Sequence, residues 1–541
     1  MTDLLDRPRS TRSRKALNAN KATGLEQAPV APRRPGRPLG QRFPGLGGHW
    51  VVGSVVVLGA ILRLRGLTHG GLWTSDAWVA LSTHVPLSTA WHMWANAPGF
   101  DLLERLWLGL NPGAPWWGQL PALLLGILSI PAAVALFRYF KFPRAIGAVI
   151  ALIVAVSPIC VMYSTRYKDY SADFVLACVL LACAEATRRR SSARTLGATA
   201  AVSLCSFVFS ASTLTLVVGV WAGLGLHALM NRSGFRCYVA WSSATLGGSV
   251  LIAALFYRHL SPYLNRSWHD HFLSLRSPLA LLESVCSIAT QTYGGIIGGP
   301  NWTPLEQFLL FSILSALVVL GVSRWRAMLI PGVVLAAATA GCALGKIPLG
   351  TGRTDEVLYP ALLLLAASGA VRVAEVITSL MKRTGWRRAP FRVFGAIAVI
   401  ALVLSGIGLN THYRSLDVRT IAQDINHQMH AGDHIVVGSF VRYAWALYEE
   451  PHPDIEFGSA WMTGFTVAST QSHVFLEPSF DVEGDQNLAG WTQQLGGYQR
   501  LWFVEVALVP PDPLLVRLEA AGWHESRAVN AAGCEAILLV R

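Results

Sequence analysis

The distribution of basic residues between long apolar stretches is the feature that most constrains the fold of this chain. Eleven stretches of about 17–23 mostly apolar residues are each long enough to cross a bilayer as a helix. Counted from a cytoplasmic N-terminus, every second connection is basic and contains no Asp or Glu. These connections are Arg138 to Arg144, Arg188 to Arg194, Arg232 to Arg236, Arg324 to Arg326 and Lys382 to Arg392. Because cytoplasmic loops are enriched in Lys and Arg, the pattern predicts a polytopic α-helical membrane protein with about 11 spans, its N-terminus inside and its C-terminus outside.

The composition agrees with this class. The 541 residues are 52% hydrophobic and only 14% charged, whereas soluble proteins have about 25% charged residues. Residues 1–47 contain ten Lys and Arg against three acids. Since they are also polar and Pro-rich, we predict a disordered basic cytoplasmic tail that lies near anionic lipid. This placement accounts for the net charge of +13 without nucleic-acid binding.

The predicted spans divide the rest of the chain into two domains. Residues 48–409 form a transmembrane domain with outer loops at 67–114, 258–305 and 344–356. The first of these loops is rich in Trp and Leu, and we expect interfacial helices there, anchored by the side chains of Trp91, Trp94 and Trp107. Residues 410–541 contain sixteen acids and seven Arg.

The C-terminal segment alternates short apolar runs with helical patterns. DHIVVGSF, RLWFVEV and EAILLV are typical of strands, and VRYAWALYEE and PLLVRLEAAG are typical of helices, the last one ending near Gly522. We therefore predict a small extracytoplasmic α/β domain. GSF after the first strand lacks the spaced glycines of a dinucleotide site.

Four cations on the predicted outer side depart from the charge trend. Arg166 and Lys168 follow the third span, and Lys346 and Arg353 follow the ninth. Two basic turns at the depth of the lipid head groups are suited to binding a lipid phosphate. The alternatives are snorkelling toward the head groups or pairing with nearby acids. Those acids are Asp169, Asp355 and Glu356.

Asp76 is the only acid between Leu67 and Phe100, and it lies in GLWTSDAWVA between Trp73 and Trp78. A carboxylate held near the interface by aromatic rings is suited to act as a general base toward a hydroxyl. The alternative is structural, since Ser75 or Asp76 would also serve as the N-cap of the helix that follows.

Two other clusters of ionisable residues have simpler interpretations. WHDHF (268–272) places His269, Asp270 and His271 together, but no further His or Cys completes a metal site, which favours a solvated loop. Asp101 and Glu104 are spaced i, i+3 and are either a second acidic element or the polar stripe of an interfacial helix, which we favour. No metal ligand set is found, although the sequence does not exclude a divalent metal.

Four segments, in this order, give the chain a resemblance to the GT-C membrane glycosyltransferases, in particular to the bacterial branch similar to protein mannosyltransferases and lipid A aminoarabinose transferases. They are LWTSDAWVA, APGFDLLERLWLGLNPGAP, SPICVMYSTRYKDYSADF and IPLGTGRTDEVLYPALLLLAASG. Asp76 falls on the second position of the family's acidic pair, where Ser75 replaces the first acid. Lys168 stands where Arg is common and Arg166 where an acid is common. Tyr170 and Arg353 match the family's Tyr and late Arg.

The resemblance implies a function as well as a fold. Such enzymes transfer a sugar from a polyprenyl-phosphate donor to an envelope glycan, lipid or protein on the outer face of the cytoplasmic membrane, here by inversion. Asp76 would be the catalytic base, and no cofactor is needed. Donor phosphate binding is expected from Arg353, Lys168, Arg166 and Lys346. Substrate contacts are expected from Tyr170, Tyr163, Trp73, Asp101 and Glu104.

Two other functions fit the same outer cations. A transporter or flippase of a lipid-linked sugar would bind the phosphate in the same way, but it would be expected to have ionisable residues deep within its spans. A non-catalytic envelope scaffold would use the C-terminal domain for binding, and the loss of an acid at Ser75 is compatible with it. The sequence names neither the sugar nor the acceptor.

Overall fold

The structure is a computed structural model, and it describes the chain in ranges separated by gaps. The ranges are 47–67, 72–90, 92–93, 97–110, 115–231, 234–257, 268–297, 304–384, 416–450, 452–457, 465–477, 480–507 and 512–541. The predicted tail up to residue 46, the predicted eleventh span (393–409), Arg232, Trp91 and Trp94 lie outside these ranges.

The membrane-spanning helices occupy the predicted positions. Six helical segments of the described chain are long and apolar enough to cross a membrane. They are Trp116–Tyr139, Tyr170–Arg189, Thr213–Asn231, Phe235–Phe256, Trp325–Ala343 and Glu356–Leu380. Four shorter apolar helices are Trp50–Leu64, Arg144–Val156, Ala193–Phe209 and Ser312–Val322. The protein is a multi-pass α-helical membrane protein, and all ten helices overlap the spans that the sequence predicts. Those spans are 48–66, 115–137, 145–163, 171–187, 195–211, 212–230, 237–257, 306–323, 327–345 and 357–378.

In chain order, the helices of this part are α1 (Gly47–Leu64), α2 (Thr74–His84), α3 (Leu87–Ala90), α4 (Pro98–Leu108), α5 (Pro115–Gly118), α6 (Leu120–Tyr139), α7 (Arg144–Val156), α8 (Pro158–Tyr163), α9 (Tyr170–Arg189), α10 (Ala193–Phe209), α11 (Thr213–Asn231), α12 (Phe235–Phe256), α13 (Pro278–Ile297), α14 (Pro304–Val322), α15 (Trp325–Ala343) and α16 (Tyr359–Thr384). Helices α2 to α4 lie in the predicted first outer loop. Helix α13 lies in the second, a segment for which the sequence analysis specified no helix.

The third predicted span, 145–163, is not one helix. It is divided into α7 and α8 at Ser157, whose hydroxyl accepts a hydrogen bond from the N–H of Cys160 at 3.5 Å. Pro158 has no N–H to donate to the carbonyl of Val154, so the α-helical pattern ends there. The prediction of a continuous span was wrong because it counted apolar residues and ignored this proline.

Hydrogen bonds from Arg63 hold the end of α1 against the end of α7. Its guanidinium is fully buried and donates hydrogen bonds to three backbone carbonyls, at 2.9–3.1 Å. The acceptors are Gly59, Ala155 and Val154. A buried cation is tolerated only where such partners satisfy its donors, so Arg63 requires α1 and α7 to lie side by side.

The C-terminal part is the predicted α/β domain. A five-stranded sheet has the order β4-β1-β5-β7-β6, in which β1 is parallel to β4 and to β5, and β7 is antiparallel to its neighbours. The strands and helices are α17 (Val418–Gln428), β1 (His434–Val437), α18 (Arg442–Tyr448), β2 (Asp454–Phe457), β3 (Phe465–Ala468), β4 (Val474–Leu476), α19 (Phe480–Leu495), β5 (Arg500–Val506), α20 (Pro513–Ala520), β6 (His524–Ala531) and β7 (Cys534–Val540). Strands β2 and β3 form a separate antiparallel pair. Gly522, at φ +96°, follows α20 as predicted.

The central strands are buried on both faces, which explains their continuous apolar runs. One face of the sheet, including Leu501 and Phe503, packs on α19 and α20. The other face, including Trp502 and Val504, shares one core with α17, α18 and α2. Helix α2 of the first outer loop is therefore packed against the C-terminal domain.

Candidate active site

Asp76 lies in the first turn of α2 and does not cap the helix. The N-cap residue is Trp73, and no side chain makes the capping hydrogen bond. The Asp76 side chain is completely buried, and its Oδ2 is 3.0 Å from Nε of Arg166. The N-cap alternative for Asp76 and Ser75 is therefore wrong. The carboxylate is aimed at a cation from a turn 90 residues further along the chain.

Arg166 joins the two positions at which the sequence departs from the family pattern. While its Nε pairs with Asp76, its Nη2 donates a hydrogen bond to Oγ of Ser75 at 3.0 Å. By the resemblance given above, an acid is expected at both positions. Since these two residues touch, the two departures belong to one local rearrangement of charge.

Lys168 approaches the same helix from the turn between α8 and α9. Its ammonium lies over the ring of Trp78, 4.5 Å from the ring centre, and only 5% of the residue is exposed. Burial lowers the pKa of Lys168 to about 7, although the charges of Asp76 and Asp169 act to raise it. The ring provides a favourable contact for a partly desolvated cation.

Arg353 is presented by a glycine-rich turn. The carboxylate of Asp355 accepts hydrogen bonds from the N–H groups of Gly350 and Gly352, at 3.2 and 3.1 Å. Both glycines have φ values of +69° to +78°, which a residue with a side chain rarely adopts. This closes the loop so that the Arg353 guanidinium lies 5.6 Å from the ring centre of Trp268.

The charges of three cations act on one buried acid. Burial raises the pKa of Asp76, and the charges of Arg166, Lys168 and Arg353 act in the opposite direction. The rings of Tyr163 and Tyr170 pack edge to face at 4.7 Å and are close enough to Arg353 to affect its pKa. A buried carboxylate facing several cations is the arrangement needed both to remove a proton and to stabilise a phosphate.

The acids of α4 are buried, so our favoured interpretation of them as a polar stripe was wrong. Asp101 is 2% exposed and accepts a hydrogen bond from Oγ of Ser82 at 3.3 Å, whereas Glu104 is completely buried near Tyr167. Burial raises the pKa of Asp101 to about 7 and that of Glu104 well above its usual range. The face of α4 that is exposed carries leucines instead.

Other predicted residues lie further from Asp76. Lys346 is exposed and is not among the charges acting on Asp76. Trp73 is half-buried at the start of α2. His269 and Asp270 pair with each other in an exposed 3₁₀ turn, and His271 lies against the carbonyl of Leu349 at 3.3 Å. Among the residues that the structure describes, no group of three or more His, Cys, Asp and Glu is arranged to hold a metal.

The C-terminal domain contributes contacts that the sequence did not suggest. The hydroxyl of Tyr448 accepts a hydrogen bond from the N–H of Leu72 at 3.0 Å. The Thr74 hydroxyl donates to the carbonyl of Phe440. Trp78 meets Tyr443 edge to face, with ring centres 6.0 Å apart. No local motif marks these residues, because their partners are more than 360 positions away.

The chain was compared with known proteins. No protein-family model and no curated protein sequence matches it significantly. Among solved structures, ArnT from Cupriavidus metallidurans, in the apo state and bound to undecaprenyl phosphate, is similar with a TM-score of 0.50 and 15% identity, covering 91% of this chain and 98% of its own. The Archaeoglobus fulgidus oligosaccharyltransferase in the apo form gives a TM-score of 0.41 and 12% identity over 75% of this chain and 64% of its own.

The likeness to ArnT extends over almost the entire length of both chains, so it includes the membrane helices and the C-terminal domain together. It confirms the predicted fold class, a polytopic helical membrane domain followed by a small α/β domain. The chain has the fold of ArnT, as its resemblance to the GT-C membrane glycosyltransferases predicted.

Proposed function

We propose that this protein is a glycosyltransferase that moves a sugar from a polyprenyl-phosphate donor to a hydroxyl of an envelope acceptor. The observation that carries the proposal is the meeting of Asp76 with Arg166, Lys168 and Arg353, from two turns far apart in sequence. The fold shared with ArnT, which has been crystallised with undecaprenyl phosphate, supports a lipid-linked donor. The charge pattern of the connections supports a reaction on the outer face of the cytoplasmic membrane.

The proposed reaction is a single displacement. The Asp76 carboxylate takes the proton from the acceptor hydroxyl, and the acceptor oxygen forms a bond to the anomeric carbon. The bond between that carbon and the phosphate oxygen breaks, and its electron pair leaves with polyprenyl phosphate. Because attack and departure occur on opposite sides of the carbon, the anomeric configuration is inverted.

Cations stabilise the leaving group in this scheme. The phosphodiester donor carries one negative charge and the phosphomonoester product carries up to two, so charge grows on the phosphate in the transition state. Arg166 pairs with Asp76 at 3.0 Å, and we assign Lys168 and Arg353, one from each basic turn, to the phosphate. In this scheme the charge of Arg166 lowers the pKa of Asp76. The exposed Lys346 contacts lipid head groups.

The remaining predicted residues have supporting roles. Three aromatic residues are proposed to contact the sugar. They are Tyr163 and Tyr170, which pack edge to face beside Arg353, and Trp73 at the start of α2. Asp101 and Glu104 are proposed to act indirectly, through Tyr167 and the turn that carries Lys168.

The test uses the purified full-length protein in lipid. A panel of polyprenyl-phosphate sugars is supplied with an envelope extract as acceptor, and release of polyprenyl phosphate is measured. Asp76→Asn keeps the shape of the side chain but removes the base, so release should fall by about 100-fold or more. Asp270→Asn makes the same chemical change at an exposed loop and should leave release unchanged.

The outcomes separate the competing functions. Release from one donor that is lost in Asp76→Asn would support the transferase and identify the sugar. Equal release by both proteins would retain the enzyme and remove Asp76 as its base. If no donor is consumed while Arg353→Ala still abolishes donor binding, the transporter or scaffold becomes the better explanation.

A further inference from the structure

Two hydrogen bonds from the C-terminal domain hold the backbone that leads into Asp76. The Tyr448 hydroxyl accepts from the N–H of Leu72 at 3.0 Å, and the carbonyl of Phe440 accepts from the Thr74 hydroxyl. Leu72 and Thr74 flank Trp73, whose carbonyl accepts the N–H of Asp76 at 2.8 Å. The C-terminal domain therefore holds the backbone that enters α2 on both sides of Trp73.

A third contact reaches the cation side of the site. Trp78 contacts both the domain and Lys168. The Tyr443 ring meets it edge to face with ring centres 6.0 Å apart, and the Lys168 ammonium lies 4.5 Å from its ring centre. Tyr443 is itself held, because its hydroxyl donates to the carbonyl of Phe465 at 3.0 Å and accepts from Nη2 of Arg442 at 2.7 Å. The position of the Trp78 ring therefore depends on the domain.

Helix α2 has little rigidity of its own. It has 11 residues, and helices of this length are marginal unless tertiary packing holds them. Ala77, Ala80 and Leu81 of α2 are buried in one core with Tyr443 and Ala444 of α18. The direction in which Asp76 points is thus set by packing on the C-terminal domain.

We propose that the C-terminal domain is a positioning element of the transfer reaction, with Tyr448 as its principal positioning residue. It orients the helix that carries Asp76 and the ring that holds Lys168, and it touches no reacting atom. This inference rests on the proposed function, and it assigns to the domain a role within the donor site.

The experiment uses Tyr448→Phe in the full-length protein in lipid. This change removes only the hydroxyl that receives the Leu72 N–H. The matched control is Tyr498→Phe, in which the same atom is removed from a ring packed on the opposite face of the sheet. Three quantities are measured: kcat for release of polyprenyl phosphate, the Kd for free polyprenyl phosphate, and hydrogen exchange in a peptide covering residues 72–82.

Positioning predicts a specific combination of results. In Tyr448→Phe, kcat should fall by about 10-fold or more, because small displacements of a reacting group are costly. The Kd should stay within about two-fold, because this variant changes the contact at Leu72 and leaves the contact between Trp78 and Lys168 in place. Exchange at the start of α2 should become faster. Tyr498→Phe should match the wild type in all three.

A second variant distinguishes a positioning effect from misfolding. Thr74→Val is nearly isosteric and removes the donor to the Phe440 carbonyl, and it should lower kcat in the same way with the Kd unchanged. If both variants keep wild-type kcat, the positioning role is overturned while the proposed function stands. A general loss, in which kcat and phosphate binding fall together with thermal stability in both variants, would also overturn it. A wild-type protein that consumes no donor would overturn the proposed function and this inference with it.

Discussion

Replacing Arg166 should move the pH dependence of the reaction. In Arg166→Gln the cation 3.0 Å from the Asp76 carboxylate is lost, while the hydrogen-bonding shape is largely kept. Burial already raises the pKa of Asp76, and the charge of Arg166 is the largest influence acting against it. Without that charge the pKa of Asp76 rises further, so a higher pH is needed to keep the base deprotonated.

The size of this shift follows from the distance. Two unit charges 3.0 Å apart interact by about 1.4 kcal/mol in water and by about 5.5 kcal/mol at an effective dielectric constant near 20. At about 1.36 kcal/mol per pKa unit, this corresponds to roughly 1–4 units. Since Arg166 is 12% exposed and two further cations remain near Asp76, we expect a shift of about 1–3 units.

The assay is the pH profile of kcat/KM for polyprenyl phosphate release. The acidic limb of Arg166→Gln should lie about 1–3 pH units above that of the wild type, so that activity lost at neutral pH returns as the pH is raised. Arg166→Lys keeps the charge and should have an acidic limb close to that of the wild type. An unchanged limb in Arg166→Gln would refute Asp76 as the base or Arg166 as its electrostatic partner.

Two further changes test the supports of the site. Asp355→Asn leaves one of the two turn N–H groups without an acceptor, at a cost of about 1.5–3 kcal/mol. Binding of polyprenyl phosphate should therefore weaken by about 10-fold or more, and Asp270→Asn is the control. Asp101 has a folded pKa of about 7, above its usual 3.8, so its folded form binds the proton more readily and wild-type thermal stability should decrease as the pH rises from about 4 to 7. Asp101→Asn, which mimics the protonated form, should make the thermal midpoint less dependent on pH over that range, and a profile identical to that of the wild type would contradict the assignment.

The membrane helices could be predicted because the sequence pattern that marks them is local. Apolar length and basic flanks are properties of contiguous residues, and α9 (Tyr170–Arg189) and α11 (Thr213–Asn231) lie within one or two residues of the expected spans. The error arose where one residue changes the outcome, because Pro158 divides a stretch that is apolar throughout.

The site was less accessible to prediction, because its geometry depends on long-range contacts. The sequence indicated Asp76 and two basic turns, but the pairing of Asp76 with Arg166 is not encoded by any spacing. The burial of Asp101 and Glu104 could not be distinguished from exposure, since an i, i+3 pair of acids suits either face of a helix. Contacts from Tyr448 required the docking of a separate domain.

The arginine at the end of α1 constrains how the protein is assembled. Val154 offers its carbonyl to Arg63 because Pro158 has no N–H to occupy it. When the ribosome has delivered only the first span, that carbonyl acceptor does not yet exist, and the guanidinium must stay with water or lipid head groups. We therefore expect the first span to reach its final depth only after the third has entered the membrane. The expected order of insertion follows from one cation and one proline almost a hundred residues apart.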